Sequence, residues 1–67
     1  MRARRLIIRN SARCLICLDE IESTHRNDFV QCSCGRLAVD GGQTWLRRVY
    51  AVDAKWEETS IVKGRDK

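Results

Sequence analysis

The four cysteines constrain what this chain can fold into more than any other feature. Cys14, Cys17, Cys32 and Cys34 follow the spacing C-x2-C, then fourteen residues, then C-x-C. Each close pair can present two thiolates from one turn, and the segment between the pairs is long enough to bring them together. Four thiolates at about 2.3 Å from a central ion form the closed tetrahedral site typical of structural zinc. The spacing therefore predicts one structural Zn²⁺ held by all four cysteines.

A chain of 67 residues forms a single domain with a small core. Such a domain buries only about 60% of the surface that its unfolded chain exposes, and it commonly adds a metal, disulfides or a partner subunit. Two disulfides would also fit the cysteine count. A redox C-x2-C would explain the first pair but not the second. His25, the single histidine, is an alternative ligand, although four cysteines already complete a tetrahedral set.

The start of the chain is basic but is not followed by a long apolar segment. Leu6, Ile7 and Ile8 are succeeded at once by Arg9 and Asn10. A signal peptide needs about 7–15 apolar residues at this point, and a transmembrane helix about 20. We therefore expect a cytoplasmic protein with no membrane partner, in which reduced cysteines bind a metal in preference to forming disulfides.

Short β-prone segments separated by turns predict a small, mostly β, zinc-ribbon-like fold. Residues 6–9 are a candidate first strand. Asp40-Gly41-Gly42 is a turn signal, and we expect a C-terminal β-hairpin that pairs residues 36–39 with 44–50. A helix starting in residues 43–50 is an alternative, because the run is too short for its periodicity to decide.

Positive charge is concentrated near the start of the chain. Residues 14–67 carry eight Lys or Arg and nine Asp or Glu, whereas residues 1–13 carry no acid and five arginines, namely Arg2, Arg4, Arg5, Arg9 and Arg13. The predicted segments are a basic arm or first strand (1–13), the zinc-ribbon-like domain (14–53) and a polar, partly ordered tail (54–67). The basic arm indicates nucleic acid or another polyanion as a partner, with a solubilising terminus as the alternative.

A second basic group, Arg47 and Arg48, lies between Trp45 and Tyr50. The arginines are candidate phosphate ligands, and an exposed aromatic ring could stack on a base. The favoured alternative makes Trp45 the main aromatic residue of the core. It also pairs one of the arginines with Asp40 or Glu22.

Two further features have both a structural and a functional interpretation. Trp56 is either a core residue or an exposed anchor for a partner protein, since interface hot spots favour tryptophan. The acidic residues Asp19, Glu20 and Glu22 could bind a basic partner or a divalent ion, but the favoured interpretation is a solvated strand face.

Five short motifs occur together between residues 14 and 48: Cys14-x-x-Cys17, Ile21-Glu22-Ser23, Asp28-Phe29-Val30-x-Cys32-x-Cys34-Gly35, Val39-Asp40-Gly41-Gly42 and Leu46-Arg47-Arg48. In this combination the chain resembles a family of small, largely uncharacterised zinc-ribbon-like proteins of bacteriophages and bacteria. The resemblance covers roughly half of the chain. It implies a phage-type origin and an intracellular setting, and it implies no activity.

Catalysis has little support in the sequence. There is no second histidine and no nucleophile with a plausible base beside it, and four cysteines committed to zinc leave no open coordination position. We therefore expect a regulatory module that is not an enzyme and has no small-molecule substrate. It would bind nucleic acid, or a nucleic-acid-associated assembly, through the basic arm. The alternative is a modulator that binds a host protein with an acidic groove, such as transcription machinery or a defence factor.

Overall fold

A computed structural model of the chain describes residues 5–64, with side chains for residues 6–63. The described part contains seven strands: β1 (Arg5–Cys14), β2 (Glu20–Ser23), β3 (Val30–Gln31), β4 (Leu37–Asp40), β5 (Arg47–Tyr50), β6 (Trp56–Glu58) and β7 (Ile61–Gly64). The small β fold predicted from the sequence is thus confirmed. Within residues 5–64, no helix has the length and apolar character needed to cross a membrane.

Strand β1 is the longest element and organises the first sheet. It pairs antiparallel with β2 through residues 10–13 and with β6 through residues 12–14. Strand β7 pairs with the first half of β1, and a bulge lies between Ile7 and Arg9. The sequence predicts either a basic arm or a first strand for residues 1–13. From residue 5 onward, this segment is a strand, β1, which pairs with three other strands.

Two strands lie in the segment that the sequence predicts to be a partly ordered tail. Both β6 and β7 hydrogen-bond to β1. The sequence of β6 is highly charged and therefore does not predict a strand. In the sheet, however, Glu57 stands directly opposite Arg13. Opposite charges facing each other across a strand pair stabilise a sheet. Residues 56–64 therefore belong to the folded domain.

The second sheet contains the predicted hairpin. Strands β4 and β5 pair antiparallel from Leu37↔Tyr50 to Asp40↔Arg47, and β3 adds to the other edge of β4. The hairpin is confirmed, although its second strand begins at Arg47 and not at residue 44, and a helix starting in residues 43–50 is wrong. Gly41 has a φ of 103°, and a Cβ there would collide with the backbone carbonyl and the ring of Trp45. Glycine is therefore required at this turn position.

A buried asparagine joins the hairpin loop to the first sheet. Asn10 of β1 is fully buried. Its Nδ2 lies within hydrogen-bond distance of the carbonyl oxygens of Asp40 (3.0 Å), Gly42 (2.8 Å) and Trp45 (3.1 Å). A buried amide without such partners would be costly, so these contacts explain why a polar residue occupies the middle of β1.

The core between the two sheets is small. Its buried apolar residues are Ala12, Cys14, Ile21, Cys32, Leu37, Ala38 and Val39. Only three of these are large aliphatic side chains, and two are cysteines. The core alone therefore contributes little hydrophobic stabilisation. Two of its residues are cysteines that are predicted to bind the metal.

The two tryptophans differ from each other in their packing. Trp45 is 47% exposed, and the guanidinium of Arg26 lies 5.6 Å from its ring centroid. The interpretation of Trp45 as the main core aromatic is therefore wrong, because its loop holds the ring at the surface. Trp56 packs against the core, with its ring centroid 5.3 Å from that of Tyr50.

Candidate metal centre

The four cysteine sulfurs form one cluster at the edge of the core. All four Sγ atoms lie within 4.8 Å of one another. The distance from Cys34 Sγ is 3.7 Å to Cys14 Sγ and 3.6 Å to Cys32 Sγ. A tetrahedral ion with metal–sulfur bonds of about 2.3 Å requires sulfurs about 3.8 Å apart. The donor set and its spacing therefore fit a single metal ion.

Two similar turns present the sulfurs. The first begins at Cys14, the last residue of β1, and also carries Cys17, and the second follows β3 and carries Cys32 and Cys34. In each turn the residue after the second cysteine adopts a left-handed conformation, with φ of 64° at Leu18 and 76° at Gly35. Both pairs thus use the same backbone device to aim two sulfurs at one point, although only the second has glycine at this position.

Asp19 connects the two turns. Its carboxylate accepts hydrogen bonds from the backbone N–H (3.0 Å) and the hydroxyl (2.8 Å) of Ser33, and its carbonyl oxygen accepts the N–H of Cys14 (2.9 Å). The sequence groups Asp19 with Glu20 and Glu22 on a predicted solvated face. The structure instead gives it a role in holding the cysteine pairs in register.

The surroundings of the sulfurs favour thiolates at two of the four positions. The backbone N–H of Arg36 donates to Cys34 and is the main reason that its pKa is lowered to about 6. Burial raises the pKa of Cys17, but backbone hydrogen bonds from Cys34 and Asp19 outweigh it and lower the pKa overall. A metal must displace any thiol proton, so the lowered pKa of Cys34 makes its sulfur readily available to a metal at neutral pH, and the shift at Cys17 acts in the same direction.

Cys14 differs from these two sulfurs. A backbone hydrogen bond from Cys17 favours its thiolate, but burial and the neighbouring thiols of Cys34 and Cys17 leave its pKa raised. Cys14 is fully buried, and a bound cation would replace the missing solvation of its charge. The site is therefore closed, with four sulfur donors and little access for solvent on the side of β1.

Leu18 offers a test of the turn geometry. A left-handed conformation costs a non-glycine residue about 1–2 kcal/mol, whereas glycine costs about 0.5–1 kcal/mol in chain entropy. Because Leu18 is 67% exposed, little burial is lost on its removal. We expect Leu18→Gly to raise the free energy of unfolding of the metal-loaded protein by about 0.5 kcal/mol in urea denaturation.

Leu15 provides the control for this substitution. It is also exposed and lies in the same turn, but its φ is negative. Leu15→Gly should lower the free energy of unfolding by about 0.5–1 kcal/mol. Equal destabilisation by both substitutions would contradict the strained geometry assigned to Leu18.

The arginines of the basic arm meet different environments. Arg2 and Arg4 lie outside the described residues, and only the backbone of Arg5 is described. Arg9 donates to Ser11 Oγ at 3.0 Å and lies near Glu20 and Glu22 of β2, at 3.5 and 3.8 Å.

Arg13 lies between carboxylates on both neighbouring strands. Its guanidinium is 4.0 Å from Glu20 of β2 and 3.9 Å from Glu57 of β6. With Arg9 also facing the acids of β2, the charge of these two arginines is largely balanced within the sheet.

The adjacent arginines of β5 point in opposite directions. Arg47 is exposed, and its guanidinium lies 3.8 Å from Asp40, the ion pair considered from the sequence. The Arg48 side chain is only 9% exposed. It donates to both carboxylate oxygens of Glu58, to Asn10 Oδ1, to Ser60 Oγ and to the carbonyl oxygens of Ser11 and Arg47.

These contacts occupy all five N–H groups of the Arg48 guanidinium. In this arrangement Arg48 has no N–H left for a phosphate. It is a structural arginine that links the hairpin to β1 and β6. The local sequence does not distinguish Arg48 from Arg47, which makes no such link. Trp56, the other proposed partner residue, is likewise packed against the core.

A protein-family model matches the part of the chain that contains the cysteine turns. The model of a family described as a domain of unknown function (DUF7695) matches residues 6–50, which include all four cysteines and both cysteine turns. No curated protein and no solved structure matches the chain. The zinc-ribbon resemblance and the phage-type origin stay predictions.

Proposed function

The chain belongs to this family of unknown function, whose model matches 45 of its 67 residues, and we propose that it is a small, non-catalytic module built around one structural Zn²⁺. The observation that carries the proposal is the convergence of Cys14, Cys17, Cys32 and Cys34, with all four sulfurs within 4.8 Å. The ligands come from the ends of β1 and β3, which lie in different sheets. A bound ion would therefore link the two halves of the fold.

Zinc suits this set of donors better than other common ions. Tetrahedral sulfur sites hold zinc or iron, whereas magnesium and calcium prefer oxygen ligands. Zinc has a filled d shell and no redox chemistry, so it stabilises a fold without adding reactivity. Apparent zinc-binding energies in small finger peptides are of order 10–16 kcal/mol. A typical domain has a net stability of about 5–15 kcal/mol, so the ion would decide whether this one folds.

Cobalt substitution tests the ligand set directly. We expect the metal-free protein to bind one equivalent of Co²⁺ and to show the d–d bands of a tetrahedral site together with sulfur-to-cobalt charge-transfer absorption. One equivalent of Zn²⁺ should then abolish both, because thiolate sites prefer zinc. Absorption typical of octahedral cobalt, or binding that survives alkylation of the cysteines, would contradict the proposed site.

The same site argues against a catalytic role. A catalytic zinc keeps one position open for water or substrate, whereas this cluster supplies four protein sulfurs with Cys14 and Cys32 buried. The proposed role of the ion is therefore structural, and the function of the protein would lie in what its surface binds.

Nucleic acid is the partner class that we favour. The support is the excess of arginine in residues 1–13, since Lys and Arg that neutralise phosphates supply most of the affinity of such complexes. Because Arg9 and Arg13 face acids within the sheet and Arg48 is engaged internally, Arg2, Arg4 and Arg5 are the arm residues assigned to phosphate binding. The proposed partner is nucleic acid or an assembly that contains it.

A second candidate function rests on the first cysteine turn. Leu15, Ile16 and Leu18 are 46%, 43% and 67% exposed, and clustered exposed apolar residues are typical of protein–protein contacts. In this alternative the chain binds a host protein directly. If the protein shows no salt-dependent affinity for nucleic acid, this second candidate function is favoured over nucleic-acid binding.

A further inference from the structure

The loop between β4 and β5 packs against the turn between β2 and β3. Gly42 lies so close to this turn that a Cβ on it would collide with the backbone of His25. The N–H of Gly42 also donates to Ser23 Oγ at 2.9 Å. We refer to residues 24–28 and 41–45 as the paired loops, because these contacts hold the two segments together as one unit.

Trp45 has a well-bonded backbone but an exposed side chain. Its N–H donates to the Gly41 carbonyl oxygen at 3.3 Å, and its own carbonyl oxygen accepts a hydrogen bond from Asn10 Nδ2 at 3.1 Å. The ring lies against Gly41, yet Trp45 is one of the exposed large apolar residues of the chain. The loop therefore presents a large aromatic ring at the surface, and packing of the core does not require it there.

Arg26 stands beside this ring with its charge unpaired. Its guanidinium carbon lies 5.6 Å from the centroid of the Trp45 ring, and among residues 6–63 no carboxylate lies within 4.0 Å of its guanidinium. The other arginines whose side chains are described each have such a partner: Arg9, Arg13, Arg36, Arg47 and Arg48. The one acid in the paired loops, Asp28, accepts hydrogen bonds from the N–H (2.9 Å) and the hydroxyl (3.2 Å) of Thr24.

From this juxtaposition of an exposed ring and an unpaired guanidinium, we infer that the paired loops bind an unpaired base of single-stranded nucleic acid, an inference that rests on the nucleic-acid binding proposed above. Trp45 provides the stacking surface, which accepts any base because every base has a π-face. Arg26 donates to a phosphate next to that base. In a duplex each base is already stacked between its neighbours, so the site selects the single strand.

Exposed aliphatic side chains, which a protein or lipid partner would bury, lie on other elements. They occur in the first cysteine turn and on β1 and β7, where Leu6, Ile8 and Ile61 are exposed. Ile8 borders the paired loops through its carbonyl oxygen, which accepts a hydrogen bond from Gln43 (3.2 Å).

The paired loops themselves contain no aliphatic residue, and Phe29, the exposed residue that follows the first of them, is a second aromatic ring. Tryptophan and arginine are also hot-spot residues of protein interfaces, where they fill well-packed, desolvated pockets. The polar residues around Trp45 do not form such a surface. An aromatic ring and a free cation among polar side chains fit a base and its phosphate better.

The test measures binding to four labelled probes of equal length, about 12 nucleotides, by fluorescence anisotropy over a series of salt concentrations. The probes are a thymidine DNA strand, a uridine RNA strand, a DNA duplex and an abasic DNA strand that retains its phosphates. We expect the wild type to bind the DNA or the RNA single strand more tightly than the duplex and the abasic strand. The tighter of the two single strands identifies the sugar.

Replacement of Trp45 tests the stacking surface. Trp45→Leu keeps an apolar side chain but removes the aromatic face, and it should weaken binding to the single strand by roughly 5- to 150-fold. Its affinity for the abasic strand and its salt dependence should be unchanged. Trp45→Phe, which keeps a ring, should restore much of the affinity. Tyr50→Leu is the matched control, because it removes an exposed ring outside the paired loops and should bind as the wild type does.

Replacement of Arg26 tests the phosphate contact. Arg26→Gln should decrease the magnitude of the slope of log affinity against log salt by about 0.7, the value for one phosphate of a single strand. Lys55→Gln is the matched control, because Lys55 is also exposed but adjoins the first cysteine turn, where its carbonyl oxygen accepts the N–H of Leu15 (2.7 Å). It should leave the slope unchanged. Amide dispersion in NMR spectra and zinc content verify that each variant is folded.

The fluorescence of Trp45 reports on stacking without any change at the site. The chain has two tryptophans, so Trp56→Phe leaves Trp45 as the single emitter. Its emission should be quenched when the single strand binds and should not change with the abasic strand.

The possible failures can be distinguished from one another. If Trp45→Leu and Tyr50→Leu bind the single strand equally well, the site at the paired loops is overturned while nucleic-acid binding stands. Equal affinity of the wild type for the single strand and for the duplex or the abasic strand would likewise overturn base stacking. If the wild type binds none of the four probes even at low salt, the proposed function itself fails.

Discussion

Replacing Cys14 by serine is expected to prevent the protein from folding at ordinary zinc concentrations. Cys14 is one of the seven buried apolar residues of the core and belongs to the sulfur cluster. If four ligands share a binding energy of order 10–16 kcal/mol equally, the loss of one weakens zinc binding by roughly 60- to 700-fold. We expect Cys14→Ser to lose the dispersed amide signals of a folded domain in its NMR spectrum.

Ser33→Ala is the matched control for this substitution. Ser33 lies between Cys32 and Cys34, and its hydroxyl bonds to Asp19, but it is not one of the clustered sulfur donors. Its replacement should cost about 1 kcal/mol and leave one zinc ion bound. A Cys14→Ser protein with wild-type stability and amide dispersion would contradict the structural role of the metal.

Arg48→Ala should produce a large destabilisation, although Arg48 is not one of the clustered cysteines. Arg48 donates to Asn10 Oδ1 (2.8 Å), to Ser60 Oγ (2.9 Å) and to the Ser11 carbonyl oxygen (3.2 Å), besides its pair with Glu58. Removal leaves the fully buried Asn10 oxygen without this donor, and one unsatisfied buried group costs about 1–3 kcal/mol. With the contacts to Glu58 and Ser60 also lost, we expect a decrease of about 3 kcal/mol in the free energy of unfolding.

Arg47→Ala separates this effect from the loss of charge alone. Arg47 is adjacent to Arg48 but is exposed, and its ion pair with Asp40 is long at 3.8 Å. Exposed pairs contribute about 0–1 kcal/mol. In thermal unfolding of the zinc-loaded proteins, Arg48→Ala should lower the Tm by roughly 12–24 °C. Arg47→Ala should lower it by only a few degrees. Similar shifts in both variants would contradict the buried role of Arg48.

The cysteine pattern and the hairpin were accessible from the sequence because both are local signals. Spacing alone places two sulfurs on each turn, and the glycines after Asp40 mark the turn between β4 and β5. Both predictions depend on residues close together in the chain. The structure confirms the hairpin, and it brings the four predicted ligands within 4.8 Å.

Long-range pairing explains what the sequence could not predict. Strand β6 is charged and is stabilised by residues more than 40 positions away in β1. Arg48 and Arg47 are chemically identical neighbours, and only the position of β1 buries one and exposes the other. Asn10 and Asp19 likewise have roles that depend on partners from distant segments.

The metal and the sheets depend on each other in this account. Among the residues whose side chains are described, the buried core contains three large aliphatic side chains, Ile21, Leu37 and Val39, and a domain of this size commonly needs an additional cross-link. The cysteine turns link β1 of the first sheet to β3 of the second. A stable link there would hold the two sheets in one fixed arrangement.

Native mass spectrometry of the protein purified without added metal tests the central claim most directly. We expect a mass excess of one Zn²⁺, which mild acid should remove together with the compact charge states, because protons displace the metal from its thiolates as the pH falls. A protein that is folded without metal, with a mass two or four hydrogens below that of the reduced chain, would contain disulfides and would contradict the zinc centre.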